Sequence, residues 1–205
     1  MAEKLYEGNI DFNKKIQFSS VCDKMKSIYR QTLLADGSRR ETDAEHSWHL
    51  ALMAMLFEDY APDGTDIDKV IKMVLVHDLV EIYAGDTFCY DEKAGADKTE
   101  REMKSAEKLF SILPKEKGEE LKNLWLEFDA EETKEALFAA SLDRIQPLIN
   151  NFFTNGHTWR KGSVLKEQVQ KREEILKKGM PIAYDLAMDI IEDGERKGYF
   201  SKKQK

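Results

Sequence analysis

The sequence contains little of what several common protein classes require. Two cysteines, Cys22 and Cys89, occur in 205 residues and form no CxxC pair, which excludes a disulfide scaffold and predicts free thiols in a reduced, cytoplasmic protein. No uncharged apolar run approaches the roughly 20 residues of a transmembrane helix, and the start MAEKLYEGNI has no apolar signal-peptide core. We therefore expect a soluble protein without a membrane partner.

The chain also has fewer basic than acidic residues. The chain has 32 lysines and arginines against 39 aspartates and glutamates, which gives a net charge of −7. This balance argues against a nucleic-acid polymer as the partner, because proteins that bind one usually carry a basic surface. A small phosphate ester is compatible with it, since one metal ion and one or two arginines can bind such a ligand locally.

Helical patterns dominate the sequence and predict an all-α fold. Only four prolines and eleven glycines interrupt the chain, and no run alternates β-branched with polar residues. Thr42 followed by Glu45 has the spacing of a capping box and marks a helix start. The predicted helices cover 13–34, 42–57, 66–83, 99–113, 117–128, 131–153 with a kink at Pro147, and a C-terminal pair that is interrupted near 179–181 and ends at about Tyr199. Turn-rich breaks are predicted at 35–38, 85–96 and 151–162. The length suits one domain, residues 1–205.

The dipeptide His77-Asp78 lies near the end of the strongly apolar helix predicted for 66–83. An ionised aspartate is costly in such a place unless it is paired or bound to a metal ion. A capped or salt-bridged pair explains most His-Asp dipeptides, so this feature alone leaves both interpretations open.

Two further residues favour the metal interpretation. His46 lies in the first turn of a neighbouring apolar helix, and Asp143 lies among small and apolar residues in AASLDRI. Two histidines and two aspartates on apolar helices form a mixed nitrogen and oxygen donor set, which suits zinc, manganese, iron or cobalt better than magnesium or calcium. Glu81, four residues after His77, shares a predicted helix face with it and could move a proton to or from a substrate.

The ordered residues His46, His77-Asp78 and Asp143 resemble the metal-binding pattern of the HD-domain phosphohydrolase superfamily. The segments ETDAEHSWHLALMAM, VHDLVEIYAGDTF and SLDRIQPLINNF are similar to its 5′-deoxynucleotidase-like branch. The resemblance covers roughly residues 27–159, and C-terminal helices follow at 163–200. It implies a single-domain HD-type helical bundle, commonly a homodimer, in which those four residues hold one divalent ion (Mn, Co, Zn, Fe or Ni). The implied reaction is hydrolysis of (deoxy)ribonucleoside 5′-monophosphates to nucleoside and phosphate.

Three more residues match functional positions of that branch. Glu81 matches the catalytic glutamate of the HDxxE pattern, and Arg30 matches the phosphate-binding arginine. Asp86, in GDT, matches a catalytic-site aspartate that contacts the 3′-hydroxyl of the sugar, with an ordinary turn aspartate as the competing interpretation. Some members carry a tryptophan directly after the arginine, whereas this chain has Gln31, which weakens the case for base or sugar stacking there.

Two alternatives remain open at this stage. The substrate could be another nucleotide or phosphate ester, although Glu81 is followed by Ile82 rather than by the aspartate of alarmone hydrolases, and no GYP signature of cyclic-dinucleotide hydrolases occurs. The chain could also be a helical binding module that keeps a metal ion for stability, although Glu81 and Asp86 have no place in such a module. The sequence leaves base and sugar preference, the native metal, the oligomeric state, and the roles of His49, His157 and Trp159 undecided.

Overall fold

The computed structural model describes residues 8–91 and 97–202 and confirms the all-α class. Helices account for most of these residues, and two short 3₁₀ segments and one small antiparallel sheet connect them. The helices are α1 (Ile10–Cys22), α2 (Asp43–Leu56), α3 (Ile67–Val76), α4 (Glu81–Ala84), α5 (Lys98–Phe110), α6 (Lys115–Ala130), α7 (Lys134–Phe153), α8 (His157–Lys161), α9 (Lys166–Glu173), α10 (Leu176–Gly179) and α11 (Pro181–Arg196). The strands are β1 (Tyr29–Leu33) and β2 (Arg40–Thr42), and the 3₁₀ segments are Asp23–Ser27 and Glu58–Tyr60.

The helix predicted for 13–34 is wrong in its second half. α1 ends at Cys22, a 3₁₀ turn follows, and Tyr29–Leu33 forms a strand that pairs with Arg40–Thr42. The predicted break at 35–38 is real, but it closes a hairpin in which Leu34 N–H donates to Arg39 O, rather than ending a helix. Arg30, Gln31 and Thr32 of this strand all line the central pocket, at an irregularity in its pairing with β2.

The helix predicted for 66–83 is also interrupted. α3 ends at Val76, residues 77–80 form tight turns, and α4 starts at Glu81. Hydrogen bonds of the i to i−3 type hold this segment, including Glu81 N–H to Asp78 O at 2.9 Å. Since side chains three residues apart eclipse each other in a 3₁₀ turn, the break places Asp78 and Glu81 on the same side. A tight turn, and not the α-helix that the sequence predicts, therefore brings the side chain of Glu81 to the site.

Two clusters of buried apolar side chains hold the helices together. The larger joins α2, α3 and α7 to the C-terminal helices, and its fully buried members include Leu50, Val70, Met73, Phe138, Leu142, Leu176 and Ile191. The smaller packs the end of α3 against α5, α6 and the first 3₁₀ turn, through Met25, Val76, Val80, Leu109, Phe110 and Trp125. The segment that carries His77 and Asp78 lies where the two clusters meet, so both sides of it are fixed by apolar packing.

The ends of the helices follow the signals in the sequence. The capping box at the start of α2 is confirmed: Thr42 Oγ1 accepts a hydrogen bond from Glu45 N–H, and Glu45 Oε2 accepts one from Thr42 N–H. α7 runs through Pro147, and the C-terminal break falls between α10 and α11 at Met180.

The predicted loop 85–96 is described only as far as Asp91, and residues 1–7 and 203–205 also lie outside the described part. Among the described residues, no helix is long and apolar enough to cross a bilayer.

Candidate active site

Three buried side chains from three parts of the chain meet at the centre of the fold. Nε2 of His46, from α2, lies 2.9 Å from Oδ1 of Asp143, from α7. Nε2 of His77, at the end of α3, lies 3.7 Å from the same oxygen. One ligand atom from each of the three residues lies within 4.8 Å of the others. The packing of α2 and α3 against α7 thus brings together residues that are up to 97 positions apart in sequence.

The outer nitrogen of each imidazole is already occupied. Nδ1 of His46 lies 3.1 Å from Gln146 Oε1, and Nδ1 of His77 lies 2.9 Å from Val74 O. Because both partners are acceptor oxygens, each Nδ1 must carry the proton and donate it. Nε2 of each ring is thereby left to face the carboxylates at the centre of the site.

This arrangement requires a positive charge between the rings and the carboxylates. Burial lowers the pKa of His77, but the charges of Asp78 and Asp143 outweigh burial and raise it to about 10. Nε2 of His77 is buried and has no hydrogen-bond partner among the described residues, although carboxylate oxygens of Asp78 and Asp143 lie 3.0 Å and 3.7 Å from it. A divalent cation satisfies such a set directly, since two imidazole nitrogens and a carboxylate oxygen are typical ligands of zinc and of its first-row neighbours. The residues present therefore fit the metal ion that the sequence predicts.

Asp78 lies beside this group and is held by Arg30. Its Oδ2 is 3.0 Å from Nε2 of His77 and accepts a hydrogen bond of 2.5 Å from Nη1 of Arg30. Nη2 of Arg30 lies 3.8 Å from Oδ1 of Asp143, and Nη1 lies 3.5 Å from Asp43 Oδ1. The structure thus brings Arg30 to the predicted ligands, and the assignment of Asp78 as a fourth ligand stays a prediction.

A row of acidic side chains forms the pocket wall next to Arg30. Glu81 is buried, and burial together with the charges of Asp78 and Asp43 raises its pKa well above the usual value. Asp86 is half-buried, and burial is also the largest cause of its raised pKa. Both residues line the pocket, and each has one buried carboxylate oxygen, Oε2 and Oδ2, without a hydrogen-bond partner in the described part of the chain. Unpartnered carboxylate oxygens in a pocket wall can accept hydrogen bonds from a ligand.

Gln146 and Glu41 support the site on the Nδ1 side of His46. The sequence analysis did not identify either residue. The side-chain amide of Gln146 accepts from His46 and donates to Glu41 Oε1 at 2.8 Å, and its nitrogen lies 3.2 Å from Nδ1 of His49. Gln146 and Glu41 are 1% and 2% exposed. Gln146 lies three residues after Asp143 and hence on the same face of α7, which is the signal that could have found it. Glu41 had no comparable signal, because its position depends on the hairpin that the sequence did not predict.

The sequence left the roles of His49, His157 and Trp159 undecided, and the three residues lie in different places. His49 is half-buried and reaches the site only through Gln146. Trp159 is 1% exposed, packs against Phe200 with ring centroids 4.8 Å apart, and contributes to the pocket wall. His157 is half-buried at the start of α8 and does not line the pocket.

The far wall of the pocket carries two arginines that sequence reasoning also missed. Arg144 donates a hydrogen bond to Oδ2 of Asp143 and another, of 2.8 Å, to Glu131 Oε1. Nη2 of Arg172, on α9, lies 3.9 Å from Oδ2 of Asp143. Glu173, the next residue, is 1% exposed and has Oε2 unpartnered within the described residues. The two oxygens of Asp143 therefore face different environments: Oδ1 lies near the two imidazoles and Arg30, and Oδ2 lies near Arg144 and Arg172.

Comparison with known proteins agrees with this geometry. The family model of the HD domain matches residues 22–183. The 5′-deoxynucleotidase HDDC2 of Dictyostelium discoideum is 29% identical over 143 residues, 67% of this chain and 75% of that protein. The HDDC2 of Xenopus laevis is 31% identical over 140 residues, 65% of this chain and 66% of that protein.

A solved structure from Magnetospirillum magnetotacticum, described as a predicted metal-dependent phosphohydrolase, is 43% identical. It superposes with a TM-score of 0.91 over 97% of this chain and 100% of that one. A conserved hypothetical protein from Pyrococcus furiosus shares the fold, with a TM-score of 0.57 and 23% identity over 88% of this chain and 99% of that one. The family match, the four motif residues and the buried donor set agree, and the chain belongs to the HD-domain family as one of its 5′-deoxynucleotidase-like, metal-dependent phosphohydrolases.

Proposed function

We propose that this protein hydrolyses 2′-deoxynucleoside 5′-monophosphates to deoxynucleosides and phosphate, with one divalent metal ion held by His46, His77, Asp78 and Asp143. The observation that carries the proposal is the buried cluster of His46, His77 and Asp143, whose Nε2 and Oδ1 atoms converge beside a pocket-lining arginine. The names of its 5′-deoxynucleotidase relatives support the substrate class. When bound, a divalent ion in such a site lowers the pKa of a coordinated water and offsets charge on phosphoryl oxygens.

Arg30 binds the phosphoryl group in this proposal. Its guanidinium lies within 4.0 Å of Asp43, Asp78 and Asp143, so it is held at the predicted ligands by three carboxylates rather than by one. The planar fork of a guanidinium matches two phosphate oxygens, and its charge persists at any pH in the working range. Arg30 thus orients the phosphate toward the ligand cluster while it neutralises the acidic wall.

Glu81 moves the proton. Its Oε2 is buried in the pocket wall without a partner among the described residues, and its raised pKa favours the protonated carboxyl. A carboxyl of this kind can donate a proton to the 5′-oxygen of the leaving nucleoside, or accept one from the attacking water in the reverse protonation state. The tight turn at residues 77–80 holds Glu81 on the side of Asp78, where the phosphate would lie.

Asp86 binds the sugar. It follows Gly85, whose φ of 79° ends α4 and turns the chain toward the pocket. Its Oδ2 is buried in the pocket wall without a hydrogen-bond partner in the described part of the chain, and in this proposal it accepts a hydrogen bond from the 3′-hydroxyl. Close contact at this position would leave no room for a 2′-hydroxyl, which is why we propose a deoxynucleotide rather than a ribonucleotide.

A substrate screen with reloaded metal tests the proposal. Metal-stripped protein is reloaded separately with Mn, Co, Zn, Fe or Ni, and phosphate release is measured from deoxy- and ribonucleoside 5′-monophosphates and from 3′-monophosphates. We expect release from the deoxynucleoside 5′-monophosphates with at least one of these ions. Tight metal binding with no phosphate release from any nucleotide would contradict the proposed reaction.

We further propose that the protein acts as a cytoplasmic homodimer of a single domain. Its two cysteines are unpaired, which suits a reducing compartment. One side of α2 exposes a stripe of large apolar side chains, Trp48, Leu52, Met55 and Leu56, of which Trp48 and Leu56 are each 64% exposed. An exposed patch of this kind favours a protein contact. Light scattering of the purified protein tests the dimer, and a monomer at all concentrations would contradict it.

A further inference from the structure

Arg172 lies in the pocket wall and makes no hydrogen bond to any residue that the structure describes. Across residues 8–91 and 97–202, its sole ion pair is the 3.9 Å contact with Oδ2 of Asp143, which is too long for a direct hydrogen bond. Its side chain is 28% exposed and lines the same pocket as His77, Asp78 and Arg30. The five N–H donors of Arg172 are therefore available to a ligand in that pocket.

The neighbouring Arg144 shows what a purely structural arginine does at this place. Arg144 donates hydrogen bonds to two carboxylates, Asp143 Oδ2 and Glu131 Oε1. Arg172 stands next to the same carboxylate oxygen but is not needed to satisfy it. The buried carboxyl of Glu173 attracts Arg172 electrostatically, but no ion pair within 4.0 Å joins the two side chains in the described chain.

Arg30 and Arg172 lie on the two sides of the Asp143 carboxylate, one near each oxygen. Nη2 of Arg30 lies 3.8 Å from Oδ1 of Asp143, and Nη2 of Arg172 lies 3.9 Å from Oδ2. Both guanidiniums line the same pocket, so a single phosphoryl group bound there could present a different oxygen to each of them. A tetrahedral phosphate presents several acceptor oxygens, and paired arginines are well suited to bind them.

We propose that Arg172 is a second phosphoryl-binding residue, which binds the substrate phosphate from the Oδ2 side of Asp143 while Arg30 binds it from the Oδ1 side. The inference rests on the proposed phosphohydrolase function and adds to it a binding residue from α9, outside the four motif residues. It assigns the C-terminal helices a direct part in the site. It also explains why a charged, partly buried side chain has, among the described residues, one long ion pair and no hydrogen bond, which is otherwise unfavourable.

Binding of inorganic phosphate tests this assignment without requiring turnover. Isothermal titration of the metal-loaded protein compares the wild type with Arg172→Ala, Arg172→Lys and the control Lys171→Ala, which removes an exposed positive charge from the same helix. We expect Arg172→Ala to weaken phosphate binding by about tenfold or more, as for a lost hydrogen bond to a charged group. Arg172→Lys should retain an intermediate affinity, and Lys171→Ala should stay within about twofold of the wild type.

The same variants are then assayed for hydrolysis of 2′-deoxyadenosine 5′-monophosphate. Arg172→Ala should raise KM in parallel with the loss of phosphate affinity, with metal content unchanged. Wild-type phosphate affinity in Arg172→Ala would overturn the assignment while leaving the proposed hydrolysis intact. If Arg172→Ala does not fold, an unchanged phosphate affinity in Arg172→Lys overturns it equally, since the lysine lacks the fork. Phosphate binding that depends on Arg172 in a protein that hydrolyses no nucleotide would support the subsite and refute the proposed function.

Discussion

Each side chain of the site owes its orientation to a second polar group. His46 is turned by Gln146, His77 by the carbonyl of Val74, and Asp78 by Arg30. The side chains proposed to face substrate, in contrast, keep unpartnered oxygens within the described residues, as Glu81 and Asp86 do. This difference separates the groups proposed to hold the metal ion from those proposed to contact the nucleotide, and it predicts distinct mutant phenotypes.

Glu81→Gln should keep the metal ion and lose turnover. The amide has nearly the shape of the carboxyl but cannot exchange the proton, so kcat should fall by about 10²- to 10⁴-fold. Metal analysis and steady-state kinetics check this result. Asp143→Ala is the matched control, because it removes the oxygen that both imidazoles face and should lose metal and activity together. A Glu81→Gln enzyme with normal kcat would contradict the proton-transfer role.

Gln146→Leu should weaken metal binding although Gln146 is not a ligand. The change removes the acceptor for His46 Nδ1–H and leaves Glu41 buried without its amide donor. Loss of such a supporting partner typically lowers metal affinity by about 10- to 100-fold. Competition with a chelator measures the affinity, and Gln146→Glu, which retains an acceptor oxygen for His46, should recover part of it. Equal affinity in the wild type and Gln146→Leu would show that the ring needs no such support.

At the scale of elements, the start of α2 and the end of α3 decide where the histidines lie. The capping box fixes the first turn of α2 four residues before His46, and satisfies backbone N–H groups that would otherwise have no partner. The tight turns after Val76 then place Asp78 and Glu81 side by side. Strand β1, which precedes α2 in the chain, adds Arg30 to the site. Short, irregular elements thus carry Asp78, Glu81 and Arg30, whereas long helices carry His46 and Asp143.

Thr42→Ala should lower the free energy of unfolding by about 1 kcal/mol, the usual effect of losing an N-cap side chain. It deletes the Oγ1 acceptor of Glu45 N–H and the hydroxyl that donates to Glu45 Oε2. Chemical denaturation measures the change. Thr42→Ser keeps the hydroxyl and should stay near the wild type, so equal losses in both variants would mean that the cap contributes nothing.

At the scale of the whole molecule, the C-terminal helices close the fold over α7. α10 lies so close to α7 that a Cβ added at Gly179 would stand 2.1 Å from Leu137 O and 2.2 Å from Ser141 Oγ. Both contacted atoms belong to α7, where Ser141 is fully buried and donates a hydrogen bond to Leu137 O. This close approach connects the segment that carries Arg172 to the helix that carries Asp143.

Gly179→Ala should therefore destabilise the protein by about 1–3 kcal/mol, as overpacking in a core does, because the two helices must move apart. Thermal denaturation measures the effect. Gly194→Ala is the matched control: its added Cβ would meet Phe200 and Trp159 at 3.2 Å, and the small shift that it requires should have a smaller effect. Equal stability of Gly179→Ala and the wild type would show that this contact is not tight in solution.

The sequence alone determined the helical class, the capping box at Thr42 and the order of residues that carry the family resemblance. These features depend on local periodicity, on side-chain chemistry within a few positions, and on spacing along the chain. Tertiary structure decided the rest: the strand that presents Arg30, the interruption before Glu81, the support of His46 by Gln146 and Glu41, and the approach of Arg172 to Asp143. Each of these arises from contacts between segments that are distant in sequence, where packing overrides local preference and a single chain gives no local signal.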